Sequence, residues 1–547
     1  MSSTNKSVAI AVFAVIAACS LLVVSRRRRT KSPSIAAKAS RPVEATKPES
    51  QSAPAPLQRR NSITSDAVHL PNEKLEGPRL LEGNGINKIS LHEINSLRST
   101  FPSAGVANNI NETYNKVMGE EDYILSDIVR KHRLADNRQS EAFVRAGPRN
   151  STHFDPTKVR AAIVTCGGLC PGLNNVIREL VNTLYHLYNA EAVIGIRGGF
   201  AGFAGKKGFE PIKLTTDSVA DIHHQGGTLL ASSRGGFDIE AIIGFLKRER
   251  ISQLFVIGGD GTHRGAYTIS EEVVKRHLNV SVIGIPKTID NDVDIIDRSF
   301  GFTTSVEAAQ AAIISAKTEA RCNLPNGIGI VKLMGRSAGF IAVHATLASG
   351  DVDLCLVPEI DIELEGERGV LPFLMKRVAE QGHAVVVVAE GAGEDVLGEC
   401  AETDASGNKK LPAVGEFMKA KIVEYFKKNK KEATVKYIDP SYMIRSVPAN
   451  SSDALYCMLL AQNAVHGAMA GYTGFSVGLV NNRVVYIPIP RLVATSPRIM
   501  DPSGRTWERV RAVTRQPATI PSASAVAHAA KHKHSGVGTG VYDKISC

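Results

Sequence analysis

From residue 159 to about 350, short apolar runs rich in β-branched residues alternate with longer stretches whose apolar positions recur every three or four residues. The runs 161–164, 192–196, 254–257, 282–285 and 327–331 are too short for helices and apolar throughout, as expected of parallel strands covered on both faces. Between them, Ile177, Leu180, Val181, Leu184 and Leu187 fall on one face of a helix over 174–187, and 308–317 is a second helix. After Gly350 the alternation starts again. Strands are predicted at 353–357, 384–389 and 435–438, with helices over 370–380, 413–427 and 454–470. The stretches 476–480 and 483–487 read as a hairpin about Asn481-Asn482. Such βα alternation through two successive segments predicts an α/β protein of two doubly wound parallel-sheet domains, 159–350 and 351–490, with a cleft between them.

The flanks differ. Residues 8–24 are apolar save Ser20, and Arg26 to Arg29 follow directly. In a segment 1–29, this reads as a membrane anchor with an arginine stop that leaves the catalytic body in the cytosol. The alternative is a targeting presequence, cleaved near Ala17-Ala18-Cys19-Ser20, that delivers the protein to an organelle. Residues 30–88, rich in Ser, Pro, Ala, Lys and Gln, read as a flexible linker. Within it Arg59-Arg60-Asn61-Ser62 resembles a basophilic kinase site, a pattern that basic linkers also produce by chance. Residues 89–158 read as an irregular helical extension packed on the core, and 491–547 as an extension with a loose tail.

Composition narrows the function. The 547-residue chain is 43% hydrophobic and 22% charged, ordinary for a globular protein, but carries a net charge of +11. Much of that excess is local, in 26–31, 59–60, 427–431 and 531–534. Aromatics make up 5% and do not interleave with the basic runs, which argues against nucleic acid and leaves anionic substrates as the account of the scattered bases. The eight cysteines have no framework spacing and suggest reduced thiols. Cys166 and Cys170 lack a second pair at a zinc spacing, so a structural role in a tight loop is expected of them.

Three of the strands run into loops of unusual chemistry. The first is followed by Thr165-Cys166-Gly167-Gly168-Leu169-Cys170-Pro171-Gly172-Leu173-Asn174, the second by Gly258-Gly259-Asp260-Gly261-Thr262, the third by Pro286-Lys287-Thr288-Ile289-Asp290-Asn291-Asp292. Ligands of open α/β sheets bind at the carboxyl ends of strands. Glycine loops offer bare amides for phosphates, one carboxylate can hold Mg²⁺ and another can remove a proton, which together are the requirements of phosphoryl transfer. Arg234, followed by Gly235-Gly236, adds an arginine among small residues where a phosphate can approach.

With Lys332-Leu333-Met334-Gly335-Arg336 and Tyr437-Ile438-Asp439-Pro440-Ser441-Tyr442-Met443-Ile444-Arg445, these motifs resemble the phosphofructokinase family over roughly 145–516. Within it they are most similar to the ATP-using plant and trypanosomatid enzymes that look like pyrophosphate-dependent ones. The resemblance implies that ATP and Mg²⁺ phosphorylate the 1-hydroxyl of fructose 6-phosphate, in an allosteric glycolytic homo-oligomer, a tetramer. It implies Asp290 as the base; a carboxylate at a strand end three residues after a lysine suits that task. Asp292 would hold the metal–phosphate assembly and Asp260 would bind Mg²⁺. Gly168, Gly235, Gly259, Gly261 and Thr262 would cradle ATP, and Arg234 would offset charge on the transferring group. Thr288, Ile289, Met334, Gly335 and Arg336 would line the sugar phosphate, Thr288 beside the catalytic carboxylates. Glu390 would bind sugar hydroxyls, and Lys436, Tyr442 and Arg445 would clamp the 6-phosphate.

Some positions depart from the bacterial members of the family. Lys287 stands where those have glycine and Tyr442 where they have histidine, both as in pyrophosphate enzymes. Gly327 stands where a bacterial arginine reaches across subunits. Gly261 points the other way: pyrophosphate enzymes have aspartate there, and a carboxylate would collide with and repel the α-phosphate of a nucleotide. Donor choice is therefore assigned to Gly261 and Lys287, with ATP as the donor. An NAD or diacylglycerol kinase would share Gly-Gly-Asp-Gly-Thr but not the later motifs, and a non-catalytic subunit would be expected to have lost Asp260, Asp290 or Asp292.

Overall fold

Thr165, Gly258 and Pro286 end three neighbouring parallel strands, Arg160–Thr165, Gln253–Gly258 and Ser281–Pro286. Their register sets Pro286 opposite Gly258 and Thr165 opposite Ile257, so all three chemically unusual loops leave the sheet along one edge. This is a computed structural model, and it describes residues 89–108, 110, 117–126, 128, 140–398, 411–518 and 520–534. The apolar run 8–24, the linker 30–88 and Ser62 lie outside the described residues.

Two sheets carry the architecture. Along the larger, ten-stranded sheet run Ile89–His92, Ser140–Arg145, Arg483–Pro488, Phe475–Val480, Ser281–Pro286, Gln253–Gly258, Arg160–Thr165, Ala192–Ile196 and Ile212–Leu214, with Tyr123–Leu125 paired to Ser140–Arg145. Its centre is parallel, and antiparallel neighbours join at both sides. The smaller sheet, Leu354–Leu356, His383–Ala389, Gly327–Leu333 and Thr434–Ile438, is parallel throughout. Its Val385 to Val388 and the large sheet's Ile283 and Ile285 are buried, which explains why these strands read as unbroken apolar runs.

The sheets do not divide where the sequence suggested. Gly327–Leu333 precedes the expected boundary at 350 yet lies in the small sheet, and the hairpin Phe475–Val480 and Arg483–Pro488 returns to the large one. Crossover connections, not sequence order, choose the neighbours of a parallel strand. The hairpin itself forms as expected, with Asn481 and Asn482 at positive φ in the two-residue turn.

The described part of 89–158 departs more sharply from the expected helices. It is built mainly of short strands, and Ser140–Arg145 sits inside the large sheet with Ala142 and Phe143 fully buried. Its ladder partners are Ile89–His92, Tyr123–Leu125 and Arg483–Pro488, and the last, more than three hundred residues away, joins it to the rest of the large sheet, a contact no local periodicity announces. The helix Leu173–Asn182 continues through Thr183–Leu187, matching 174–187. It begins after Gly172, whose φ of +97° and whose 2.6 Å from a virtual Cβ to Cys457 Sγ leave no alternative to glycine.

Candidate active site

A cleft of about 840 Å³ opens along the edge where the three strands end. Gly168, Arg234, Gly235, Gly259, Asp260, Gly261, Thr262, Lys287, Thr288, Ile289, Asp290, Asp292, Met334, Arg336 and Arg445 all line it. Residues separated by up to 277 positions thus meet in one space, including three strand-end loops from the large sheet and one that follows a strand of the small sheet.

One wall is the amino end of a helix, Asp260–Lys275, which starts inside the second glycine motif. The first-turn amides of a helix have no partner within the helix, and its dipole makes that end positive, so this wall suits phosphate. A side chain at Gly261 would meet nothing within 4 Å. Asp260, in that first turn, is pushed up to about 7 by burial and by the charge of Asp292, against the pull of Arg264.

The facing wall is the acidic loop. Thr288 Oγ1 donates to Asp292 Oδ1 at 2.7 Å and accepts the amide of Asp290 at 3.2 Å. Asn291 takes a φ of +59°, and its side-chain oxygen accepts the Ser299 amide at 2.8 Å, which pins the turn between the two aspartates. Burial raises Asp290 well above the carboxylate range, helped by the charges of Asp292 and Glu390 and opposed by Arg336. Burial raises Asp292 as well, while Thr288 and the charges of Arg498 and Lys287 lower it. Asp290 Oδ1 is shut off from solvent without a hydrogen-bond donor, the mark of a group awaiting a partner.

Lys287 is buried and donates from Nζ to the Gly168 carbonyl at 2.7 Å, tying the acidic loop to the first glycine loop; burial pushes its pKa down. Cys166 and Cys170 are buried free thiols, and Cys170 Sγ donates to the Phe300 carbonyl at 3.2 Å. Burial raises both, Cys166 to about 12, as fits packing rather than redox or metal chemistry.

Four expected site residues do not line the cleft. Gly335 lies between the lining residues Met334 and Arg336; its φ is +132°, and a virtual Cβ would sit 2.5 Å from the Ala338 carbonyl, so it shapes the turn. Glu390 follows the strand His383–Ala389, and its amide donates to Leu333 O at 2.9 Å. Lys436 is exposed on Thr434–Ile438, and Tyr442 is 74% exposed. The Arg445 guanidinium lies 4.8 Å from the Tyr442 ring centre and links this outer group to the cleft.

The sequence reading missed the apolar end of the cleft. Phe200 and Phe237 meet edge-to-face with centroids 5.3 Å apart, and Gly265 packs close beside them, its virtual Cβ 3.1 to 3.2 Å from both rings. All three line the cleft. The only local signal was an aromatic flanked by Gly235-Gly236 and Asp238 at a predicted loop.

Among the described residues no group of three or more His, Cys, Asp or Glu side chains could hold a metal ion by itself. Asp260 and Asp292, each pushed up and each facing the cleft, fit the alternative of one or two carboxylates sharing Mg²⁺ with substrate phosphates.

The chain matches the family model described as phosphofructokinase over residues 160–468. It is 52% identical to ATP-dependent 6-phosphofructokinase 7 of Arabidopsis thaliana over 388 residues, 70% of this chain and 79% of that one. It is 48% identical to the chloroplastic ATP-dependent 6-phosphofructokinase 4 of the same plant, covering 75% and 77% of the two chains. Against the ATP-dependent 6-phosphofructokinase of Trypanosoma brucei brucei the identity is 46%, over 68% and 75%. In fold it is similar to a solved pyrophosphate-dependent phosphofructokinase from Marinobacter aquaeolei, with a TM-score of 0.54 at 20% identity, covering 67% of this chain and 94% of that one.

Proposed function

Because this chain belongs to the phosphofructokinase family, we propose that its cleft transfers the γ-phosphoryl group of ATP to the 1-hydroxyl of fructose 6-phosphate, giving fructose 1,6-bisphosphate and ADP. The observation that carries the reading is the pairing of a helix amino end with a buried acidic loop across one cleft.

Asp290 accepts the hydroxyl proton as the sugar oxygen bonds to phosphorus and the bond to the β–γ bridging oxygen breaks. Arg336 already draws Asp290 toward its ionised form, and its place in the cleft suits the substrate phosphate. When bound, Mg²⁺ neutralises charge on the β- and γ-phosphates; Asp260 holds it, with Asp292 as the second carboxylate. The amides of Gly259, Gly261 and Thr262 and those of Gly168 and Gly235 cradle the phosphates, and Arg234 offsets charge in the transition state. Lys287 fixes the first glycine loop. Phe200, Phe237 and Gly265 give the adenine base an apolar slot.

On the sugar side, Thr288, Ile289, Met334, Gly335 and Arg336 position fructose 6-phosphate, Glu390 takes its hydroxyls, and Lys436, Tyr442 and Arg445 hold its 6-phosphate. The exposure of Lys436 and Tyr442 fits a clamp completed in a homo-oligomer, a tetramer by family likeness. The large-sheet lobe thus serves ATP, and the sugar lies between its acidic loop and the small-sheet lobe. The open space at Gly261 favours ATP over pyrophosphate, and the presence of all three carboxylates in the cleft argues against a non-catalytic subunit.

No helix among the described residues is long and apolar enough to cross a membrane. For the run 8–24, the chloroplastic names of two relatives at 48% and 49% identity favour a cleaved organelle segment over an anchor. Carbonate extraction and the mature amino-terminal sequence decide between them. A coupled assay with ATP or pyrophosphate tests the activity: ATP-dependent turnover of fructose 6-phosphate is expected, and turnover with pyrophosphate alone would overturn the donor assignment.

A further inference from the structure

The acidic loop is held by residues 495–500, which lie beyond the span 160–468 of the family model. Arg498, 3% exposed, donates its backbone amide to Asp292 O at 2.6 Å and its guanidinium to Asn291 O at 3.0 Å and Ile296 O at 3.1 Å. One side chain therefore grips the loop on both sides of its turn, between the proposed base and the residues that follow. Its neighbours act on the same loop: Thr495 donates to Asp294, and the Ser496 hydroxyl accepts the Asp294 amide at 3.3 Å and reaches Asp260.

The other end of the segment holds the opposite lobe. The Arg498 guanidinium lies 5.0 Å from the centre of the Phe340 ring, at the start of the helix Phe340–Ser349. Buried Glu359 accepts the Met500 amide at 2.8 Å and the Gly339 amide at 3.0 Å, so the segment is also bonded to the turn that leads out of Met334-Gly335-Arg336. A planar guanidinium offers a separate nitrogen to each carbonyl in a fixed fork while its face meets the ring, whereas an ammonium has one nitrogen to share among them.

We propose that residues 495–500 form a clasp that fixes the acidic loop against the sugar-phosphate turn, with Arg498 as a positioning residue for Asp290. The inference rests on the reading of Asp290 as the base. Arg498 does not line the cleft; apart from its charge acting on Asp292, it holds the backbone that follows Asp290, and displacement of a reacting group by about 1 Å can cost on the order of 10²-fold in rate.

The test uses the full chain and the variants Arg498→Met and Arg498→Lys, with kcat and KM for both substrates, thermal melting and circular dichroism. For Arg498→Met, kcat per folded molecule should fall by about 10²-fold while both KM values stay within about threefold, because the binding groups themselves are untouched. Arg498→Lys keeps the charge and the aromatic contact but not the two-carbonyl grip, and should recover only part of the rate. A purely structural role would lower the melting temperature and leave kcat per folded molecule at the parent value, which would overturn the proposal. Should Arg498→Met fail to fold, the lysine variant decides: a folded protein with parent kcat overturns the clasp, and reduced kcat with parent KM supports it. Loss of the base assignment itself would show separately, as a parent-like rate in Asp290→Ser.

Discussion

The two walls of the cleft are built on opposite plans. The helix amino end at Gly259 to Thr262 presents backbone to the cleft and leaves open space, with nothing within 4 Å of a virtual Cβ at Gly261. The acidic loop across from it presents side chains, and its turn is held from within by Thr288 and from outside by Ser299 and by Arg498 of the carboxyl-terminal segment. A phosphate cradle needs amides in the right place, which a helix supplies by its own geometry. A base needs one oxygen in the right place, and a loop has no geometry of its own, so tertiary contacts must impose it.

The largest expected effect breaks the acidic wall. Asp290→Ser should lower kcat by about 10²-fold or more with little change in the KM for fructose 6-phosphate, because it removes the proton acceptor and leaves the binding groups. Steady-state kinetics at saturating ATP check it. Near-normal turnover would mean that another group takes the proton.

Gly261→Asp attacks the open wall, and should separate activity from stability. A carboxylate beside the α-phosphate adds volume and an unpaired charge, so ATP kcat/KM should fall by about 10²-fold. The fold should not suffer: the position is free of neighbours, and an acidic residue replacing glycine in a first helical turn is favourable. Melting unchanged or raised, together with collapsed ATP kinetics, is the expected pair of results. An ATP kcat/KM within a few-fold of the parent would remove Gly261 as the selector.

Away from the cleft, Glu141 shows what a carboxylate does when its partners are present in the fold. Burial opposes its ionisation, but the hydrogen bonds from His92 and Arg491, with Arg491 reaching it at 2.7 and 2.9 Å, hold it down at about 2. Its folded value lies below its ordinary 4.5, so the stability it contributes is complete above that range and is lost as pH falls toward about 2. Glu141→Gln should cost about 2 kcal/mol at neutral pH, read by denaturant melts, and the deficit should shrink at pH 3.

The smallest effect reverses that sign at Asp260. Its folded value of about 7 lies above the ordinary carboxylate range, so its cost to the empty fold is absent at low pH and grows as pH rises toward 7. In chelator at pH 8, Asp260→Asn should raise the melting temperature by about 2 °C while abolishing most of the Mg²⁺-dependent activity. An equal or lower melting temperature would show that burial does not strain this carboxylate.

The residues of both walls were legible in the chain because each wall lies in one contiguous stretch directly after an apolar run. Gly258 to Thr262 and Pro286 to Asp292 announce strand end, loop and donor set within a few residues, and the hairpin at Asn481-Asn482 is equally local. The strand Ser140–Arg145 was not legible, since its place in the large sheet is set by pairing with Arg483–Pro488 far along the chain, and neither was the crossing of Gly327–Leu333 into the small sheet. Phe237 reads as a loop aromatic until Phe200 and Gly265 are brought beside it. Arg498 reads as one more arginine in a chain with 65 basic residues.

What the sequence determined by itself, then, were the residues that line the two walls, because glycine loops and strand-end carboxylates are written in short contiguous runs directly after apolar strands. The tertiary structure alone decided which strands share a sheet, where the apolar slot lies and what holds Asp290 in position. Those depend on contacts between residues hundreds of positions apart, where burial and hydrogen bonding select partners and no local propensity records the choice.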